Sequence, residues 1–307
     1  MTEAGHATAA PPSEDRSLAV LLVAAGRPRQ WVKNGFVALP VLFAQRGDDP
    51  GSLLVVAAAI ACFCAASSGV YLINDVLDRA EDRVHPSKRL RPVASGALSV
   101  RAALGAAGAL LVAALAGGLL ITLPFALTLV AYLAVTLTYT VWLKHQVLLD
   151  VMAIAAGFVL RVVGGAAAIA VRPSDWILIC TGLLALMLGF AKRRGEVLAL
   201  AGGGADHRRV LADYSVPFLD AMLYLTAGVT VVSYAVYTTT GAPGEAHLVA
   251  TVPFVLYGVI RYLWLAISRD QGESPTAVIW EDRPLQVCVI AWAALSAVLL
   301  ATMGGGG

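Results

Sequence analysis

The chain has 307 residues, of which 59% are hydrophobic and 14% are charged, and its formal net charge is +2. Apolar runs recur from about residue 35 to the end, which excludes a soluble globule with a single anchor. The composition therefore predicts an all-α, polytopic membrane protein, and we expect no nucleic acid among its partners.

The two ends of the chain differ from the apolar body. Residues 1–15 read MTEAGHATAAPPSED, which predicts a disordered tail. This stretch lacks the basic and apolar regions of a signal peptide, so we expect no cleavage. Residues 16–303 are predicted to form one transmembrane domain, and the glycines at 304–307 to form a flexible tail.

The apolar runs predict about nine transmembrane helices. Short turns separate them, marked for example by Asp48-Asp49-Pro50-Gly51 and Leu123-Pro124. The expected spans are 34–47, 51–76, 98–119, 121–142, 148–170, 173–192, 215–239, 246–266 and 285–303.

Charge is distributed unevenly between the two sides of these spans. Nineteen of the 22 Lys and Arg residues fall in the N-terminal stretch or in the long polar loops on one side. The positive-inside rule then predicts a cytoplasmic N-terminus and cytoplasmic long loops. We therefore expect a multi-pass protein of the bacterial plasma membrane with its active site on the cytoplasmic face.

A dense charged segment follows the second predicted span. Residues 74–92 read NDVLDRAEDRVHPSKRLRP, with four carboxylates and five Lys or Arg residues. On a helix, Asn74, Asp75, Asp78 and Asp82 fall at about 0, 100, 40 and 80 degrees, within one quadrant. Oxygen ligands on one face suit Mg²⁺, which takes its remaining ligands from water and phosphates. The alternative interpretation is an ordinary charged loop between two helices.

A second polar cluster follows the sixth predicted span. Lys192 and Glu196 are four residues apart and should share a helical face, with Arg193 beside them. A cationic face with one acid does not suit a second carboxylate metal site, but it suits phosphate oxygens. Simple positive-inside anchoring is the alternative, and for Arg208 and Arg209 the two interpretations are about equal.

Other polar residues stand near or inside the spans. Arg161 lies in the middle of a span, where a charge costs roughly 2.5–3.5 kcal/mol and needs a partner. Lys33 opens the first span, where it could also extend harmlessly to the interface. Lys144 and Asp150 bracket a turn, and Tyr139 lies one helical turn deeper.

The acidic motif resembles that of the UbiA superfamily of intramembrane transferases. Its N-D-x-x-D-x-x-x-D pattern is matched by Asn74, Asp75, Asp78 and Asp82. The basic segment that follows and its S-G turn match Lys88, Arg89, Arg91, Pro92, Ser95 and Gly96. The resemblance implies a UbiA-type helical bundle.

The chain departs from the prenyl-transferring members of that family. They carry a second Asp-rich motif where this chain has Lys192, Arg193 and Glu196. Together with RPRQWVKN at 27–34 and FVLRVVGGAAA, this resembles the branch of decaprenyl-phosphate phosphoribosyltransferases. That resemblance implies phosphoribosyl diphosphate as donor, Mg²⁺ as cofactor, a polyprenyl phosphate as acceptor, a role in cell-wall arabinan synthesis, and a homotrimer.

These considerations give each candidate residue an expected role. Asn74, Asp78 and Asp82 are the predicted metal ligands, and Asp78, Asp82, Lys192 and Glu196 the predicted catalytic residues. The predicted substrate-binding residues are Lys33, Asp75, Lys88, Arg89, Arg91, Tyr139, Lys144, Arg161, Arg193 and Tyr214.

Two other functions compete with this one. A UbiA-type prenyltransferase acting on an aromatic or quinone precursor would need carboxylates in the second motif. A transporter would place its polar residues near the middle of the membrane, in interrupted spans at matching places of two halves.

Overall fold

The computed structural model of the protein describes residues 17–201, 209–240 and 245–304. The predicted tail at 1–15 and residues 305–307 of the predicted glycine tail lie outside this part. The described residues form thirteen α-helices: α1 (Leu18–Ala25), α2 (Leu39–Phe43), α3 (Pro50–Leu77), α4 (Arg79–Val84), α5 (Pro92–Ser95), α6 (Val100–Ile121), α7 (Leu123–Val141), α8 (Leu149–Ala168), α9 (Asp175–Ala201), α10 (Val216–Thr240), α11 (Val252–Ser268), α12 (Pro275–Glu281) and α13 (Arg283–Gly304).

Eight helices of this described part are long and apolar enough to cross a membrane. They are α3, α6, α7, α8, α9, α10, α11 with the turn before it, and α13. The all-α, multi-pass architecture expected from the sequence is thereby confirmed, with eight continuous spans against about nine expected. The helix at the sixth predicted span, 173–192, is longer than the prediction: α9 continues to Ala201.

The predicted first span, 34–47, is built differently from the others. The chain forms a 3-10 helix over Pro28–Ala38 and then the short helix α2. Arg27 pairs with Asp75 near the end of α3, whereas the ring of Phe43 packs 5.9 Å from that of Tyr237 near the opposite end of the bundle. Eleven 3-10 residues and five α-helical residues extend about 30 Å. The segment therefore runs through the bundle without forming a continuous α-helix.

Contacts with α3 and α8 hold this 3-10 helix in place. Long 3-10 runs are uncommon because their hydrogen bonds are poorly aligned. Here Trp31 Nε1 donates to Ser68 Oγ at 3.0 Å, and Asn34 Oδ1 accepts from Arg161 Nε at 2.8 Å. Gly165 of α8 lies against the carbonyl of Val37, where a Cβ atom would overlap the oxygen. The absence of a side chain at Gly165 thus permits the close approach.

Several spans begin with a side chain that caps the helix N-terminus. The Asp49 carboxylate accepts from the backbone N–H groups of Gly51 at 3.0 Å and Ser52 at 3.2 Å, and so caps α3. Ser99 and Thr122 cap α6 and α7 in the same way, at 3.2 and 3.1 Å. These caps satisfy N–H groups that a helix start leaves unpaired.

Helices α3 and α8 occupy the centre of the bundle. The most apolar stretch of α8 is 61% buried and that of α3 56%, against 17% for α6. One core cluster joins Val37, Phe63 and Tyr132 around α3 and α7, and another joins Val151 of α8 to Met187 and neighbouring helices. Several polar side chains on α3 and α8 are therefore buried against protein, among them Asp75, Asp150 and Arg161.

Candidate active site

The acidic motif lies where α3 ends and α4 begins. Asp78 stands between the two helices, with φ −85° and ψ 5°. Its carboxylate accepts from Asn74 Nδ2 at 2.9 Å and from Lys144 Nζ at 2.6 Å. The predicted metal ligands Asn74 and Asp78 are therefore adjacent, and Lys144 reaches them from the turn after α7.

Asp75 and Asp82 share a different cation. Arg91 Nη1 lies 2.6 Å from Asp82 Oδ2 and 3.4 Å from Asp75 Oδ1. Arg27 pairs with Asp75 as well, and its guanidinium lies 4.9 Å from the centre of the Tyr71 ring. Both carboxylates are buried. The three acids of the motif are thus balanced by three cations.

The basic segment after the motif divides into two parts. Arg91 contacts the acids, as described. Lys88 and Arg89 form the short 3-10 turn Lys88–Leu90 before it, where Lys88 is partly buried and Arg89 is exposed. Their expected role in phosphate binding stays a prediction.

The donor chemistry of this motif fits Mg²⁺ when it is bound together with phosphates. Within the described residues, no group of three His, Cys, Asp or Glu side chains is arranged to hold a metal ion alone. Magnesium ordinarily uses one or two carboxylates and takes other oxygens from water and substrate phosphates. Asn74, Asp78 and Asp82 offer such oxygens, provided that Lys144 and Arg91 turn from them toward the phosphates.

The second cluster is organised around Arg193, which is fully buried. Its Nε lies 2.8 Å from Asp150 Oδ2, and its Nη2 donates to Tyr139 OH at 3.0 Å. It also pairs with Glu196 on the same helix. Lys192 Nζ lies 3.8 Å from the other oxygen of Glu196, which confirms that Lys192 and Glu196 share a helical face. Lys192 is the more exposed of the two cations.

Asp150 and Tyr214 complete this network. Tyr214 OH donates to Asp150 Oδ1 at 2.7 Å and accepts from the backbone N–H of Leu148 at 2.8 Å. Burial, and then the hydrogen bond to Asp150, raises the pKa of the Tyr214 hydroxyl, which keeps its proton for that bond. The network joins the starts of α8 and α10 to the end of α9.

Arg161 is buried in the middle of α8 among neutral groups. Besides Asn34, it donates to the carbonyl of Gly157 at 2.8 Å and to Tyr132 OH at 2.9 Å. Its guanidinium lies 4.8 Å from the centre of the Tyr132 ring. No carboxylate of the described residues pairs with it. The sequence predicted a phosphate or a carboxylate beside this charge; among the described residues its partners are uncharged, and a phosphate partner stays a prediction.

Lys33 lies on the 3-10 helix Pro28–Ala38, directly before Asn34. Asn34 accepts from Arg161, so Lys33 stands next in the chain to a partner of that guanidinium. Lys33 precedes the predicted first span and lies outside the eight continuous ones. Its expected role in substrate binding stays a prediction.

Two residues of this arrangement were not among the predicted site residues. Arg27 belongs to the basic RPRQWVKN segment, and Asp150 was noted only as one end of a turn. An acid in the first turn of an apolar helix is a usable signal, because the helix N-terminus favours negative charge. The partner of that acid, Arg193, is 43 positions later in the printed sequence and could not be inferred from spacing.

Comparisons with known proteins identify the family. The profile of the UbiA prenyltransferase family matches residues 35–281. The chain belongs to the UbiA prenyltransferase family. Within it, the decaprenyl-phosphate phosphoribosyltransferase of Mycolicibacterium smegmatis is 33% identical over 309 residues, covering 95% of each chain. The protein of the same name from Corynebacterium glutamicum is 33% identical over 311 residues, covering 95% of this chain and 91% of that one.

A solved UbiA structure shares the fold. A UbiA homolog from Archaeoglobus fulgidus, bound to GPP and Mg²⁺, superposes with a TM-score of 0.70 at 19% identity, covering 92% of this chain and 99% of that one. The UbiA assignment made from the acidic motif is therefore confirmed. The protein is an enzyme-family member embedded in a membrane by multiple spans.

Proposed function

We propose that this UbiA-family protein transfers the 5-phosphoribosyl group of phosphoribosyl diphosphate to decaprenyl phosphate or a similar polyprenyl phosphate. The two relatives named above support this, since each is named as a decaprenyl-phosphate phosphoribosyltransferase. The observation that carries the proposal is the end of α9. There Lys192 and Arg193 accompany a single acid, Glu196, where prenyl-transferring members carry a second acidic motif.

The charge of the three phosphate groups explains this difference. In a prenyl transfer the lipid substrate carries the diphosphate. In the proposed ribosyl transfer the ribose donor carries both a diphosphate and a 5-phosphate, and the lipid acceptor carries a monophosphate. The site must hold all of these anions at once. One acidic motif with a surplus of Lys and Arg meets that requirement better than two acidic motifs do.

The reaction exchanges one bond at C1 of the ribose for another. The bond between C1 and the diphosphate oxygen breaks, and an oxygen of the lipid phosphate forms a new bond to C1. The lipid phosphate is ionised near neutral pH, so no strong general base is required. Catalysis would rest on positioning and on stabilising the charge of the departing diphosphate.

We assign the acidic motif to the diphosphate. Asn74, Asp78 and Asp82 would hold Mg²⁺, which neutralises the leaving group when bound. Lys144 and Arg91, which pair with Asp78 and Asp82 in the structure, are placed to move onto phosphate oxygens. Lys88 and Arg89 precede Arg91 on the same loop and would extend this anion-binding surface.

We assign supporting roles to the buried network. Arg193 is enclosed by Asp150, Glu196 and Tyr139, so it positions Glu196, and Glu196 in turn orients Lys192. Tyr214 acts through Asp150.

The reaction would take place at the cytoplasmic face of a bacterial plasma membrane. Its product would be a precursor of cell-wall arabinan. Assembly of the protein as a homotrimer stays a prediction.

Donor choice tests this proposal. Purified protein in detergent would receive Mg²⁺, polyprenyl phosphate and radiolabelled phosphoribosyl diphosphate. We expect ribose label in the lipid phase, and its loss with EDTA. A parallel reaction would contain labelled polyprenyl diphosphate and 4-hydroxybenzoate. Prenylated benzoate there, with no ribosylated lipid in the first reaction, would establish the competing prenyltransferase function.

A pair of variants in the same assay tests the metal assignment. Asp78→Asn removes a ligand charge and should reduce ribosyl transfer by about a hundredfold or more, on the order of 3 kcal/mol of lost stabilisation. Glu81→Gln removes an exposed acid from the neighbouring helix α4 and should leave transfer near the wild-type rate. Equal activity in both variants would contradict the assignment.

A further inference from the structure

The guanidinium of Arg27 lies against one face of α3. It pairs with the carboxylate of Asp75, and it stands 4.9 Å from the centre of the Tyr71 ring. Tyr71 and Asp75 are four residues apart, so they share a face of the helix. Arg27 itself comes from outside α3, from the residue before the 3-10 helix Pro28–Ala38. An ion pair thus joins the start of that segment to the acidic motif.

The backbone on both sides of Arg27 is held by neighbouring helices. Arg27 has φ 54° and ψ 63°, a left-handed conformation that residues other than glycine adopt uncommonly. Before it, Ser68 Oγ of α3 donates to the Gly26 carbonyl at 3.0 Å. After it, Trp280 Nε1 of α12 donates to the Arg29 carbonyl at 3.3 Å. Strained residues persist where their surroundings determine the conformation, and they cluster at functional sites.

Arg91 is bound differently, because it bridges two acids. Its Nη1 lies 2.6 Å from Asp82 Oδ2 and 3.4 Å from Asp75 Oδ1. Asp82 is a proposed Mg²⁺ ligand, so a bound metal would take the place of Arg91 there. The proposed function also requires Arg91 to turn toward the phosphates of the donor. Arg91 is therefore the cation that must leave the acidic motif when a ligand binds.

The burial of Asp75 makes a second cation necessary. Its side chain is only 2% exposed, and a buried carboxylate without a cation is costly. With Arg27 in place, Asp75 stays paired when Arg91 leaves. Without Arg27, Asp75 would have to retain Arg91, and the ligand would compete with that carboxylate for the same guanidinium.

We propose that Arg27 is a positioning residue that acts through Asp75. It is the fixed counter-ion of that buried carboxylate, and it thereby leaves Arg91 free to bind a diphosphate held with Mg²⁺. The inference rests on the proposed function for the identity of this ligand. Asp75 then supports the site from within α3 and does not contact the substrate, unlike the role expected from the sequence.

Binding of inorganic diphosphate with Mg²⁺ tests the proposal without requiring turnover. Isothermal calorimetry on the full chain in nanodiscs would compare wild type, Arg27→Gln, Asp75→Asn and the double variant. We expect Arg27→Gln to weaken binding by about tenfold or more, because Asp75 then retains Arg91. Adding Asp75→Asn to Arg27→Gln should recover most of that loss, since no buried carboxylate remains to hold Arg91.

Arg261→Gln provides a matched control for the loss of an ion pair. Arg261 is as exposed as Arg27, at 27%, and its Nη2 lies 2.8 Å from an oxygen of Asp282, directly before α13. This pair is not part of the acidic motif. Removing it should change the affinity for diphosphate by less than about twofold.

The four affinities decide the matter. Binding that is as weak in the double variant as in Arg27→Gln would mean that Asp75 contacts the ligand itself, and would overturn the proposal. Unchanged affinity in Arg27→Gln, or no binding to wild type, would overturn it as well. Should Arg27→Gln fail to fold, the double variant is compared with Asp75→Asn. Equal affinities show that Arg27 acts only through Asp75, whereas weaker binding in the double variant contradicts this.

A ribosyl-transfer assay on the wild type keeps this inference apart from the proposed function. Coupling between positions 27 and 75 in diphosphate binding, without ribosyl transfer, would retain the positioning role and refute the proposed function. Ribosyl transfer without that coupling would retain the function and refute the positioning role.

Discussion

At the scale of single residues, the site is defined by which charges are paired with one another. Arg193 is fully buried and held by Asp150, Glu196 and Tyr139. Removing one partner of such a pair typically costs about 3–5 kcal/mol, since the other charge is left buried alone. Arg193 is therefore fixed in place, and Lys192, its more exposed neighbour, is the cation of this helix that can meet a ligand.

The sequence predicted the chemical nature of the site better than its pairings. The spacing of Asn74, Asp78 and Asp82 indicated an oxygen-rich motif, and the structure places Asn74 and Asp78 in contact. That Arg91 and Lys144 would occupy these carboxylates was not predictable from spacing. Such pairs depend on side chains that are 9 and 66 positions apart, which only the folded bundle brings together.

At the scale of elements, hydropathy located the continuous helices but not the backbone type of the first segment. Predicted spans such as 51–76 and 148–170 agree closely with Pro50–Leu77 and Leu149–Ala168. Residues 28–38 form a 3-10 helix because Gly165, Ser68 and Arg161 offer contacts that fit it. A hydropathy profile contains no information about these contacts.

The contact between Gly165 and Val37 predicts a large effect of one methyl group. In Gly165→Ala the new Cβ would overlap the Val37 carbonyl oxygen, so the 3-10 helix must shift away from α8. Overpacking of this kind typically costs about 1–3 kcal/mol. We expect a clear fall in the thermal unfolding midpoint in detergent. Gly105→Ala has open space around its Cβ and should unfold like wild type; equal midpoints for both variants would contradict the packing argument.

At the scale of the whole molecule, both polar clusters lie at one end of the bundle. The acidic motif follows α3, Lys144 follows α7, and Lys192 lies toward the end of α9. Lys144 pairs with Asp78 and Arg193 donates to Tyr139, so the ends of α3, α7 and α9 fall on the same side. The positive-inside rule predicts that this side is cytoplasmic.

Cysteine labelling tests that orientation. In a variant whose four native cysteines are replaced by alanine, Glu81→Cys would mark the end carrying the acidic motif and Asp48→Cys the opposite end; both positions are exposed. A membrane-impermeant maleimide added to intact spheroplasts should label the cysteine at 48 at once and that at 81 only after permeabilisation. The reverse pattern would invert the topology.

The broken first segment also has a consequence for the order of assembly during synthesis. Residues 27–38 carry Arg27, Arg29 and Lys33 and lack the continuous apolar stretch by which a helix partitions into lipid unaided. Their binding partners on α8, Arg161 and Gly165, leave the ribosome more than a hundred residues later. This segment is made before the helix that holds it, so it must wait at the membrane surface and enters the bundle only after α8 has been made.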